Sequence, residues 1–142
     1  MNTQTSHTPT LVGGEWIHQD GDHTALMTTK CHNCGSTWFP PREICSKCAS
    51  ANVEQTRTGN RGIAYASTVV RIGPAAFRPP YVLAYVDLDG ARFLAHVDTA
   101  EALAPNTPVE LRVGAIGEDD TGPLSSYVVA EASEVTTPGD AR

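Results

Sequence analysis

The sequence predicts an all-β protein in two parts, a small ribbon stapled by a metal ion and a five-stranded barrel. Three observations predict it. The 142 residues include only four cysteines, set as two C-x2-C pairs, Cys31-His-Asn-Cys34 and Cys45-Ser-Lys-Cys48, ten residues apart. From position 62 onward, short runs rich in Val, Ile, Thr and Tyr alternate with period two between Gly, Pro and Asp. One short helix-like stretch, 98–103, falls between the third and fourth of these runs.

The elements follow in order. The first ten residues, MNTQTSHTPT, carry neither a basic region nor an apolar core, so they read as a disordered lead and not as a signal peptide. Glu15-Trp16-Ile17 is a short apolar anchor after Gly13-Gly14, and Gly21 marks a turn. Residues 25–30 form a strand into the first cysteine pair, 36–39 return from it, and Pro40-Pro41 end the pairing. A further short strand covers 53–56, which bounds the ribbon at 11–57. So small a unit cannot bury enough apolar surface to fold alone, and a structural zinc ion contributes about 10–16 kcal/mol in such cases.

The barrel occupies 58–135. Its strands are 63–72, 81–88, 92–97, 109–113 and 124–132, with a hairpin turn at Asp89-Gly90, a short capped helix from Asp98 to about Leu103, and an acidic loop over 117–122. Five strands with a helix between the third and fourth is the order of an OB barrel; a six-stranded or SH3-like barrel fits the same pattern. The tail 136–142 reads as flexible.

Composition bounds function. An apolar fraction of 40% suits a folded protein, and no run reaches the roughly 18 residues of a membrane span. Paired thiols without an export signal point to the cytoplasm. Net charge is −6, distributed as −3 over 1–29, +2 over 30–112 and −5 over 113–142. A single-stranded nucleic-acid binder, the main rival reading for a ribbon with an OB barrel, shows basic stripes with stacking aromatics. Here aromatics are 6% and the balance is acidic, so neither a nucleic acid nor a membrane is the expected partner.

Cys31, Cys34, Cys45 and Cys48 together supply a tetrahedral sulfur site, suited to zinc and also compatible with iron. Using all four leaves no thiol as a nucleophile. His32 is an exposed turn residue in this reading. His96 is the single histidine within a barrel strand, and the sequence supplies it no acid–base partner.

Three stretches carry a resemblance: Cys31 to Gly35 with Trp38-Phe39-Pro40-Pro41-Arg42 and Cys45 to Cys48; Gly62 to Val70; and Arg78-Pro79-Pro80-Tyr81-Val82 with Val86-Asp87-Leu88-Asp89-Gly90. Together they resemble the acyl-CoA-associated OB-fold family with an N-terminal rubredoxin-like zinc ribbon, long catalogued as a domain of unknown function. The resemblance implies a non-catalytic accessory subunit of a thiolase, acyltransferase or thiolase-like aldolase, or of a hot-dog-fold hydratase, including enzymes of steroid side-chain breakdown. It also implies a structural zinc ion and acyl-CoA shared with the partner. Many relatives carry an aromatic N-terminal helix, which Gly13, Gly14, Asp20 and Gly21 argue against here. On this reading Trp38 and Phe39 cover the metal or meet the partner. Arg42 caps or salt-bridges the ribbon, or meets the partner; Phe77, Pro79 and Pro80 belong to a loop that is a stiff surface connection or a partner contact; Arg71, Arg78 and Arg92 solvate strand faces or donate to CoA phosphates.

Overall fold

In the computed structural model, which describes residues 9–132, the chain enters through β1 (Thr10–Leu11) and makes a 3-10 turn over Gly14–Trp16. A hairpin follows, β2 (Ile17–Asp20) and β3 (His23–Cys31), turned at Gly21. No α-helix precedes the ribbon hairpin among the described residues. β3 also pairs with β4 (Thr37–Trp38) and with β5 (Val53–Arg57), so one nine-residue strand carries the whole ribbon sheet.

The barrel is built from β6 (Arg61–Val70), β7 (Tyr81–Leu88), β8 (Ala91–Val97), β9 (Thr107–Asp119) and β10 (Gly122–Glu131). Antiparallel pairs join β6 to β7, β7 to β8, β9 to β10 and β6 to β9, and a parallel pair joins β8 to β10, which closes the ring. That order is the OB arrangement expected from the sequence.

Strand alternation decides what fills the barrel. Val82, Ala84, Val86 and Leu88 point inward from β7, and Ala91, Phe93, Ala95 and Val97 from β8, all buried. Their register sets Ala84 against Ala95, Val86 against Phe93, and Leu88 against Ala91. Along β8 the inward side chains alternate small and large, Ala91, Phe93, Ala95 and Val97, a packing that a narrow five-stranded interior allows. The β7–β8 turn is the Asp89-Gly90 pair, both at positive φ (47° and 90°), and the Asp89 carboxylate accepts the Gly59 N–H at 2.6 Å.

The two parts share a core. Leu26, on the ribbon strand β3, is fully buried within the barrel cluster of Ala64, Val82, Leu88, Phe93, Val109 and Leu111. Reciprocal bonds fix it: Leu26 N–H donates to Thr58 Oγ1 at 3.0 Å, and Thr58 N–H donates to Leu26 O at 3.0 Å. The other end of the chain segment is also tied to the barrel. β1 runs parallel to β10 at Leu124 and Ser125, and Ser126 Oγ donates to Val12 O at 2.8 Å.

Two expected elements differ. Residues 98–103 form bends and no helix. Fewer than two turns cannot recover the cost of helix nucleation, and Leu103 is instead held to β6 through its N–H and carbonyl, 2.7 and 2.8 Å from Ser67 Oγ. Residues 117–122 are not a loop but the end of the β9–β10 hairpin, with Glu118 and Asp119 still paired. Asp119 Oδ1 accepts both the N–H and the hydroxyl of Thr121, at 2.9 and 2.6 Å, which makes a tight turn there.

Candidate functional site

Each cysteine pair sits in a knuckle that the backbone closes identically. Gly35 N–H donates to Cys31 O and Ala49 N–H to Cys45 O, both at 2.9 Å, while Cys31 and Cys45 N–H donate to Ser36 O and Ser50 O at 2.9 Å. The closing residue takes a left-handed conformation in both, φ 80° at Gly35 and 65° at Ala49. Only the first is a glycine. Ala49→Gly relieves about 1–2 kcal/mol of steric cost, against about 0.5–1 kcal/mol of added chain entropy. Ala49→Gly will therefore raise the denaturation midpoint of the zinc-loaded protein slightly, and Gly35→Ala will lower it. Shifts of the same sign in the two variants would disprove the equivalence.

The four sulfurs lie within 4.8 Å of one another, with Cys31–Cys48 and Cys34–Cys45 both at 3.6 Å. A tetrahedron with metal–sulfur bonds of about 2.3 Å has edges of about 3.8 Å, so the sulfur cage fits zinc. N–H donors face the sulfurs as thiolates require. Asn33 N–H lies 3.3 Å from Cys31, and Asn33 Nδ2 lies 3.4 Å from Cys48. Lys47 N–H and Trp38 Nε1–H each lie 3.4 Å from Cys45. Burial raises the Cys45 thiol, but the N–H groups of Cys48, Trp38 and Lys47 outweigh it and lower the pKa to about 6. Cys34 is lowered chiefly by Ser36, whose hydroxyl lies 3.3 Å away. At Cys31, hydrogen bonding from the Cys34 backbone lowers the thiol, yet burial and its thiol neighbours leave it raised. His32 lies outside the cage, with Nε2 2.9 Å from the Glu54 carboxylate.

Trp38 and Phe39, adjacent in sequence, part company. Trp38 covers the metal site from one side and carries the Arg42 guanidinium 4.9 Å above its ring. Arg42 also anchors the ribbon: its N–H donates to Thr29 Oγ1 at 2.9 Å, and its Nη1 donates to Ser46 Oγ. Phe39 faces the barrel instead of the metal. Its ring meets Trp16, Phe93 and Tyr127 at centroid distances of 5.7, 5.4 and 5.4 Å, forming an aromatic joint between ribbon and barrel. Sequence reasoning missed this joint, because Trp16 and Tyr127 lie far from Phe39 along the chain.

Two of the three candidate phosphate-binding arginines are held in ion pairs. Arg78 pairs with Glu118 beside the 74–80 loop. Arg92 pairs with Asp87, its Nε and Nη2 2.6 and 3.0 Å from the two carboxylate oxygens, and lies 3.8 Å over the Tyr65 ring. The hydrogen bonds from Arg92, together with its positive charge, hold the Asp87 carboxyl below its usual range. Arg71 is exposed at the end of β6.

Phe77 is half-buried, its ring 4.9 Å from His96 and 5.6 Å from Tyr81. Of its loop neighbours, Pro79 is half-buried and Pro80 exposed. Gly117 permits the loop to lie this close, since a Cβ there would run into the backbone of Ala76 and Phe77. Two clefts open beside Phe77. One, about 300 Å³, is apolar and lined by Val12, Trp16, Leu83, Leu94 and Tyr127. The other, about 560 Å³, is bordered by Arg78, Pro80, Asp98 and Glu118. His96 lines both, and burial lowers its pKa from 6.5. A histidine with a depressed folded-state pKa costs nothing above the unfolded value, and it destabilises as pH falls below about 6.5 toward the folded value. Thermal melts at pH 7.5 and 5.0 will therefore show His96→Gln gaining on the native chain at the lower pH. Equal pH dependence in the two proteins would refute this.

Comparisons with known proteins converge on one family. Residues 19–54 match the family described as ChsH2, rubredoxin-like zinc ribbon domain, and residues 55–114 match ChsH2, C-terminal OB-fold domain. A DUF35 domain-containing scaffold protein of Methanocaldococcus jannaschii is 34% identical over 61% of this chain and 64% of its own, so the chain spans a little under two thirds of that relative. Benzoylsuccinyl-CoA thiolase subunit BbsA of Geobacter metallireducens is 31% identical over 78% of this chain and 77% of its own. A DUF35 domain-containing scaffold protein of Pyrococcus furiosus is 33% identical, with 84% and 90% covered. Among solved structures, the Ltp2-ChsH2(DUF35) aldolase has a chain that superposes with a TM-score of 0.55 at 25% identity, over 72% of this chain and 83% of that one. With the sulfur cage and the closed five-stranded barrel, these likenesses show that the chain belongs to the DUF35 family of ChsH2-type proteins, which join a rubredoxin-like zinc ribbon to an OB-fold barrel.

Proposed function

We propose that this chain is a non-catalytic accessory subunit of a thiolase-like enzyme acting on acyl-CoA substrates. The observation that carries the reading is the pair of assemblies among its relatives, a thiolase subunit and an aldolase complex, on a chain whose own chemistry is committed elsewhere. All four thiols converge on one metal site, and His96 lies between two aromatic rings, with no carboxylate bonded to it among the described residues. The zinc ion is structural in this reading, since four thiolates leave no open coordination position. Any gain in rate comes from bracing the partner's substrate channel, which positions the reactants.

The test is capture of the tagged full-length chain from its source organism, with bound proteins identified by mass spectrometry. A thiolase-fold enzyme recovered in stoichiometric amount, whose activity falls when this chain is removed, is the expected result. Turnover of acyl-CoA thioesters by the isolated chain would overturn the reading, as would recovery of the chain without any such enzyme.

A further inference from the structure

The outward face of β6, β7 and β8 is a sheet surface with its apolar side chains left to water. Cross-strand register places Leu83 beside His96, Tyr85 beside Leu94, and Asp87 beside Arg92. A bulge between Ala64 and Ala66 delivers Tyr65 to the same face, under the Arg92 guanidinium. Tyr65, Tyr85 and Leu94 are 49%, 51% and 45% exposed, so each leaves about half of a large side chain uncovered. The Leu83–Leu94 pair separates two apolar hollows that both residues line. One is the cleft of about 300 Å³ beside Trp16 and Phe77; the other, about 240 Å³, is lined by Ala66, Thr68 and Tyr85.

What covers this face follows from charge and composition. Residues 1–8 and 133–142, outside the described part, contain only Met1, Val135 and Ala141 as apolar side chains besides a proline, too few to fill two hollows. A second copy would bring a net charge of −6 against −6, and the face offers nothing to offset it, because Asp87 and Arg92 neutralise each other. Neutral, tyrosine-rich surface with a single internal ion pair is the composition of the core of a protein–protein interface. We propose that this face docks the thiolase-like subunit, which seats one bulky apolar side chain in each hollow on either side of Leu94. The proposal rests on the accessory-subunit reading.

The test uses the tagged full-length chain in its source organism. Leu94→Glu, on an exposed position, will keep one zinc per chain and the native melting temperature, and will retain at least ten-fold less of the thiolase-like protein. Benzoylphenylalanine at position 85 will photo-crosslink to that protein, whereas at position 112 on β9 it will not. If the native chain and Leu94→Glu capture the enzyme equally, or the crosslink forms from 112 and not from 85, the face is wrong while the accessory reading stands. If the native chain captures no thiolase-like protein, both fall. If the purified chain is a dimer that Leu94→Glu splits, the occupant is a second copy and the proposal is overturned.

Discussion

Chelation of the metal, or replacement of Cys45 by serine, will unfold residues 27–57 and leave the barrel standing. This segment has almost no apolar core of its own: the buried side chains within 27–57 are Thr28, Thr29, Cys31 and Cys45. Two hydroxyls and two metal ligands cannot by themselves offset the entropy of ordering this segment. The missing stability is metal binding, about 10–16 kcal/mol for structural zinc in comparable sulfur and histidine sites. The barrel rests on its own layered interior of Val82, Val86, Leu88, Phe93, Val109 and Val129. Hydrogen exchange of the metal-free protein checks this: amides of β4 and β5 lose protection, and those of β7 and β8 keep it. Full protection across 27–57 without metal would refute the account.

Replacing Leu26 with alanine will damage both parts at once. This side chain has no exposed surface and lies among barrel residues, although its strand leads directly to Cys31. Buried leucine-to-alanine changes cost about 2–5 kcal/mol, and roughly 3 kcal/mol here would lower the melting temperature by on the order of 10 °C. The distinguishing signature is breadth. Denaturation of the variant, followed by barrel tyrosine fluorescence and by metal release, will shift in both signals together. A shift in only one would mean that ribbon and barrel are independent.

The metal site was the most legible part of the sequence, since C-x2-C spacing specifies local knuckle geometry without long-range information. The β7–β8 hairpin was nearly as plain, because Asp89-Gly90 fixes the turn and strict alternation fixes which residues face inward. Where the reading failed, distant partners were the main cause. Asp98 to Leu103 has a helix-start pattern, but Ser67 on β6 claims the backbone of Leu103. Glu118 and Asp119 look like loop residues by polarity, yet the far end of a hairpin projects into water and needs no apolar side chains to stay paired. Phe39 sits beside Trp38 in a cysteine-bounded segment, and only the folded chain shows it turned toward Phe93 and Tyr127.

The reciprocal bonds between Leu26 and Thr58 have an evolutionary consequence. A crossover that exchanged ribbons between homologous genes at this junction would transplant one half of a lock without its key. The recipient would receive a leucine shaped for another socket, or a socket left empty. Lineages of this architecture should therefore show ribbon and barrel descending together as a single heritable block, with mosaic genes rare among them.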